Sequence, residues 1–161
     1  GLMTGCLFHT SLVAFGISKI IKENESIFFL IRLFGSSYLL YLAFKVYQSG
    51  TKIVLYKDEI RNESLFQFFK KGFIMNVLNP KVTLFFLALF PQFLFSDTIS
   101  IVVQFYFLGA LFILISFLVF ATIALLSGSL SNYLKEHSKI GLYLKWGQII
   151  VFVSIAIMIL S

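Results

Sequence analysis

Asn79-Pro80-Lys81 places an amide, a helix breaker and a cation in consecutive positions inside an apolar stretch running from Gly72 to Phe95. Proline in a helix interior has no N–H and crowds the preceding turn, so the carbonyl of Asn76 loses its expected donor. In hydrocarbon that carbonyl needs another partner, whether a side chain, a neighbouring helix, water or a ligand. A lysine at the same depth is costly unless it is paired or used. Asn76, Asn79 and the released carbonyl suit an ammonium, and Lys81 suits a carboxylate. The same residues also suit a packed kink in which Lys81 bonds to neighbouring carbonyls.

Spacing extends the set. Gly72, Asn76, Asn79, Pro80 and Thr83 recur at intervals of three and four, so an unbroken helix would carry them on one polar face. Tyr38 follows the small patch Gly35-Ser36-Ser37 and continues at helical spacing to Tyr41 and Lys45. That face reads as tight packing with interfacial tyrosines, or as one wall of a polar path. His9 lies one turn beyond Gly1 and Gly5, a GxxxG pair that lets helices approach closely. It reads as an interhelical hydrogen-bonding residue. No aspartate or glutamate falls in an apolar segment, so His9 is also the one histidine or carboxylate there that could carry a proton.

Other chemistry is poorly served. The two histidines and single cysteine lack metal-ligand spacing, since His137 lies far from His9. The serines have no histidine and acid partners, and there is no glycine-rich phosphate loop. Neither an enzyme nor a cofactor is expected. A membrane redox relay needs two cysteines that meet, and Cys6 is alone.

The elements that must position these residues follow from composition. Hydrophobic residues make up 59% and charged residues 12%, with a mean hydropathy of +0.96; a soluble domain carries about 25% charge. The 161 residues fit about five membrane spans. The expected architecture is an all-α, polytopic transmembrane helical bundle forming one domain over 1–161. Its spans are expected near 1–18, 27–48, 72–95, 99–127 and 144–161. A rise of about 1.5 Å per residue puts Lys81 roughly 15 Å beyond Lys71, near the middle of a core about 30 Å thick. Ser127-Gly128-Ser129 reads as a helix end, and Arg32 and Lys45 as cations that reach the membrane surfaces. Gly1 opens directly in an apolar segment, as though the start of the chain were missing.

The net charge of +6 is scattered between spans, which speaks against nucleic acid and for lipid headgroups. The stretches 49–71 and 128–145 hold five and three basic residues, whereas 19–26 and 95–98 hold two and none. The excess of basic residues in cytoplasmic loops then puts the first pair in the cytoplasm.

Three stretches carry a resemblance: "GLMTGCLFHTSLVAFGIS", "IRLFGSSYLLYLAF" and, most specifically, "FKKGFIMNVLNPKVTLFFLALFPQF". With them the chain resembles the lysine exporter family (LysE/RhtB type), six-helix amino-acid efflux permeases of bacterial inner membranes. The resemblance covers essentially all residues. It implies export of amino acids or similar small zwitterions, driven by proton motive force, with Asn76, Asn79, Pro80, Lys81 and Tyr38 at the substrate. A homo-oligomer stays open as a partner.

The family's first helix, with its Pro-Gly-Pro element, has no counterpart here, so segment one corresponds to the family's second helix. Transporters of this size are often two inverted repeats whose interrupted helices form a midplane site. By analogy, the Pro-Gly-Pro helix is the counterpart of the Asn79-Pro80-Lys81 helix. A non-transporting membrane subunit or an inactive truncated fragment are the alternatives.

Overall fold

A computed structural model describes residues 1–18, 20, 24–50, 64–136 and 139–160. Among them are six α-helices and no strand: α1 (Leu2–Leu12), α2 (Glu25–Gln48), α3 (Leu65–Val77), α4 (Pro80–Leu89), α5 (Ile101–Glu136) and α6 (Ile140–Leu160). A π-helical turn (Val13–Ile17) extends α1, and a 3₁₀ turn (Phe90–Phe93) extends α4. Most of the charged stretch 49–71 and His137 lie outside the described residues.

Local chemistry explains the helix starts. Asn24 caps α2 by accepting from the Ile27 N–H at 3.1 Å, and Glu25 complements the dipole in the first turn. Ser64 and Gln67 form a reciprocal capping box at the start of α3. At the far end of α2, Lys145 donates to the carbonyl of Ser49 at 2.7 Å and sits 5.6 Å from the Tyr47 ring. A cation at a helix C-terminus is favourable. This contact puts the ends of the two basic stretches at one end of the bundle.

Helices α2, α5 (over Ile101–Gly128) and α6 are each long and apolar enough to cross a membrane. The pair α3 and α4 reaches that length together, bent by 55° at the break between them. Helix α1 is a shorter apolar helix, reaching Gly16. The protein is therefore an all-α, polytopic helical membrane protein.

Two expected boundaries move. Ser127-Gly128-Ser129 is not a helix end: α5 runs through it to Glu136. Its 36 residues make a rod of about 54 Å, well beyond a core of about 30 Å. A lone Gly between serines weakens a helix by only about 1 kcal/mol, which the flanking apolar turns outweigh. Correspondingly α6 begins at Ile140 rather than near 144.

Packing divides the helices into two groups. Helix α1 lies against α3 and α5, while α2 lies along α6. Helix α4 belongs to both: Phe86 joins Cys6, Val13, Ala14, Phe90 and Phe105 in one buried cluster, while Ala88 and Leu89 join Leu39, Ala156 and Ile159 in the other. The half-helix beginning at Pro80 is thus the piece that holds the two groups together.

Two buried polar side chains pin this arrangement. Ser36 donates to the Ala156 carbonyl at 2.9 Å, tying α2 to α6. Gln104 is fully buried and uses all of its capacity on the 95–99 connection. Its Oε1 accepts from the N–H of Phe95 at 2.8 Å and of Ser96 at 3.1 Å. Its Nε2 donates to the carbonyls of Ser96 at 2.7 Å and Ile99 at 2.9 Å. Backbone near the end of a span is thereby satisfied without water. A glutamine in the first turn of an apolar helix is the sequence signal for it.

Candidate functional site: the broken helix at Asn79

The helix break comes from two residues with separate jobs. Asn79 is extended, with φ −81° and ψ 107°, and its side chain accepts from the Lys81 N–H at 3.0 Å. Pro80 follows as the first helical residue, where its missing N–H costs nothing. Asn79-Pro80 is thus the cap and first position of a new helix rather than a kink inside an old one. The thirteen residues of α3 precede the break, and the ten of α4 with the four of the 3₁₀ turn follow it. It falls at the centre of the pair.

The single polar face expected from spacing is therefore split. Gly72 and Asn76 turn toward α1, Asn79 caps, and Thr83 bonds back to the Asn79 carbonyl at 3.2 Å. The phase is lost where the helix stops.

The carbonyl of Asn76, which Pro80 leaves without its helical donor, is already occupied. It accepts from the Asn79 N–H at 3.1 Å and from His9 Nε2 at 3.2 Å. A carbonyl can only accept, so Nε2 carries the hydrogen whether His9 is neutral or protonated. His9 is buried and stacked on Phe86, ring centres 5.6 Å apart. One residue of α1 thus holds the end of α3 and the body of α4 together.

Small residues make this contact reachable. Gly1, Gly5 and Gly72 let α1 and α3 run close together, and a Cβ on Gly5 would stand 2.5 Å from Asn76 Oδ1. Asn76 is 7% exposed; its Nδ2 donates to Cys6 Sγ at 3.6 Å, and its Oδ1 has no hydrogen-bond partner among the described residues. Gly5→Leu is expected to push α1 off α3 and break the His9 bond, destabilising the protein by about 1–3 kcal/mol. Thermal unfolding of the detergent-solubilised protein measures it. Gly147→Leu, at a glycine with open space around it, is the matched control and is expected to leave the midpoint unchanged.

Lys81 goes the other way. Its ammonium lies over the Phe152 ring of α6, 5.1 Å from the centroid. A desolvated contact of this kind is worth up to about 2 kcal/mol, comparable to the roughly 2.5–3.5 kcal/mol cost of a lysine at mid-membrane on the insertion scale. Tyr38 is on this side as well. Gly35 packs against Ala88 of α4, and helical spacing puts Tyr38 one turn further along that face; its ring is 6.1 Å from that of Tyr41.

The break therefore separates the expected site residues into two groups. Asn76 and His9 lie toward α1, whereas Lys81 and Tyr38 lie toward α2 and α6, with Asn79 and Pro80 between. Phe152 was missed, because nothing in the sequence ties it to a lysine so far upstream. Arg32, expected to reach toward a membrane surface, donates through its Nε to the carbonyl of Ile159 near the end of α6.

The "LysE type translocator" family model matches residues 1–161. The chain belongs to this family. Translocators are not an enzyme class. The homoserine/homoserine lactone efflux protein of Salmonella typhi is 27% identical over 135 residues, covering 84% of this chain and 65% of that protein. The membrane protein YahN of Escherichia coli is 31% identical over 99 residues, 61% of this chain and 44% of its own length. The membrane protein YrhP of Bacillus subtilis is 30% identical over 104 residues, 58% and 49% respectively. The chain thus spans about two thirds or less of these relatives. No solved structure matches it. As a LysE-type membrane chain, it works in contact with lipid.

Proposed function

We propose that the full-length protein exports amino acids or similar small zwitterions across the bacterial inner membrane, powered by proton motive force. The observation that carries this reading is the break at Asn79, where an apolar span is interrupted at its centre by a capped half-helix bearing a lysine. The N-terminus of α4 and the Lys81 ammonium both favour a carboxylate. The carbonyl end of α3 and the Asn76 Oδ1 are the proposed acceptors for the ammonium of the same molecule, and Tyr38 lines the path on the α2 and α6 side. Asn79 and Pro80 create the gap that lets both ends of a zwitterion approach backbone.

His9 is the proposed proton-coupling residue. It holds the break from the α1 side, and protonation at Nδ1 leaves its Nε2 bond to Asn76 intact. A charge can then arrive without undoing the joint. The stretches 49–71 and 128–145 belong on the cytoplasmic side in this reading. It draws support from the family and from the homoserine efflux protein among its relatives.

The test is efflux. In a bacterium stripped of its own amino-acid exporters, the full-length protein is expected to speed release of radiolabelled homoserine several-fold, and a protonophore is expected to abolish the gain. A panel of amino acids left unmoved by a well-expressed protein overturns the proposal in favour of a non-transporting subunit.

A further inference from the structure

We infer that Phe152 is the resting place of the Lys81 ammonium in the empty carrier, and that this ring thereby sets how tightly a substrate carboxylate is held. The inference rests on the proposed role of Lys81 as the carboxylate ligand.

Lys81 is poorly placed for a cation in two respects. It lies deep in an apolar span, and it is the second residue of α4, at the positive end of that helix's dipole. The apolar segments contain no aspartate or glutamate to offset it. What the structure provides is a ring face: Nζ is 5.1 Å from the Phe152 centroid. Phe152 is itself packed against the buried cluster of Leu39, Ala88, Leu89, Ala156 and Ile159, so the ring stays in place when the ammonium leaves.

The choice of partner matters chemically. A carboxylate in this position would hold Lys81 permanently and compete directly with a substrate carboxylate. An aromatic face attracts a cation through its quadrupole, more weakly than an anion does at low dielectric. The ammonium therefore has a tolerable position when the site is empty and a better one when substrate arrives. Release returns it to the ring. Removing the ring raises the free energy of the empty state and leaves the loaded state unchanged. Substrate then binds more tightly and leaves more slowly.

That gives Phe152 a signature distinct from packing. In proteoliposomes containing the full-length protein, Phe152→Leu is expected to lower the KM for radiolabelled homoserine by roughly three- to tenfold and Vmax by a similar factor, the range set by a ring–cation contact. Phe152→Trp, a stronger cation binder, is expected to raise KM. A KM that is unchanged or raised in the leucine variant, together with one that is not raised in the tryptophan variant, overturns the inference. Should the leucine variant fail to accumulate, the tryptophan variant decides alone.

Lys81→Met in the same vesicles separates the two levels. Normal homoserine transport by that variant overturns the role of Lys81 itself. Lost transport there, with both Phe152 variants at the wild-type KM, overturns only the resting place.

Discussion

Lys81→Met in the full-length protein is expected to reduce amino-acid efflux at least tenfold while membrane abundance and thermal midpoint stay at or above the wild-type level. Methionine keeps the length and flexibility of the lysine stem and removes only the charge. Burying a thioether in place of an ammonium relieves a desolvation cost of about 2.5–3.5 kcal/mol, and the loss of the Phe152 contact gives back up to about 2 kcal/mol. The balance favours stability. Transport goes the other way, because the lysine charge at the break is gone and a carboxylate arriving there meets chiefly the dipole of α4, worth about 1 kcal/mol. Opposite signs in the two measurements distinguish a substrate ligand from a structural residue. Normal efflux by a stable Lys81→Met protein would remove Lys81 from the site.

His9 should separate into two functions under substitution. His9→Leu removes the donor to the Asn76 carbonyl and the ring stacked on Phe86. The carbonyl keeps the Asn79 N–H, so it is not orphaned, and the expected loss is about 1–2 kcal/mol rather than the larger penalty of an unsatisfied buried group. His9→Gln retains an N–H of similar reach and is expected to restore most of the thermal midpoint. It cannot carry a proton. Homoserine efflux driven by an imposed pH gradient is therefore expected to fail in both variants, whereas homoserine exchange without a gradient survives in His9→Gln. Gradient-driven efflux at the wild-type rate in His9→Gln assigns His9 to the joint alone and moves coupling elsewhere.

His9 also shows how far the residues could be read without the fold. Proline cannot donate a hydrogen bond, so an unclaimed carbonyl at Asn76 was predictable from Pro80 alone. Gly1 and Gly5, one turn before His9, announced a helix that comes close to another. That these were two halves of one contact was not legible, because the residues are 67 positions apart and backbone proximity depends on how α1 lies along α3. The split of the polar face was closer to hand. Asn followed by Pro is a cap and first-turn signature as much as a kink. The unbroken apolar run around it favoured the single-helix reading, in which Asn76 and Lys81 belong to one span. In the folded chain they turn to different neighbours.

Composition and hydropathy by themselves determined that this is an all-α membrane bundle, because hydrocarbon satisfies no backbone and leaves only helices for chains of this apolar pattern. Asn79-Pro80-Lys81 by itself determined that the third apolar segment would be interrupted at mid-depth, because proline removes a donor whatever surrounds it. Only the tertiary structure decided which partners answer those local demands: His9 for the carbonyl, the Phe152 ring for the ammonium, and α4 as the joint between the α1–α3–α5 group and the α2–α6 pair. An unmet hydrogen bond or an unpaired charge is a property of one residue and can be read from it. The group that meets it is fixed by how helices distant in sequence pack, and no local pattern encodes that.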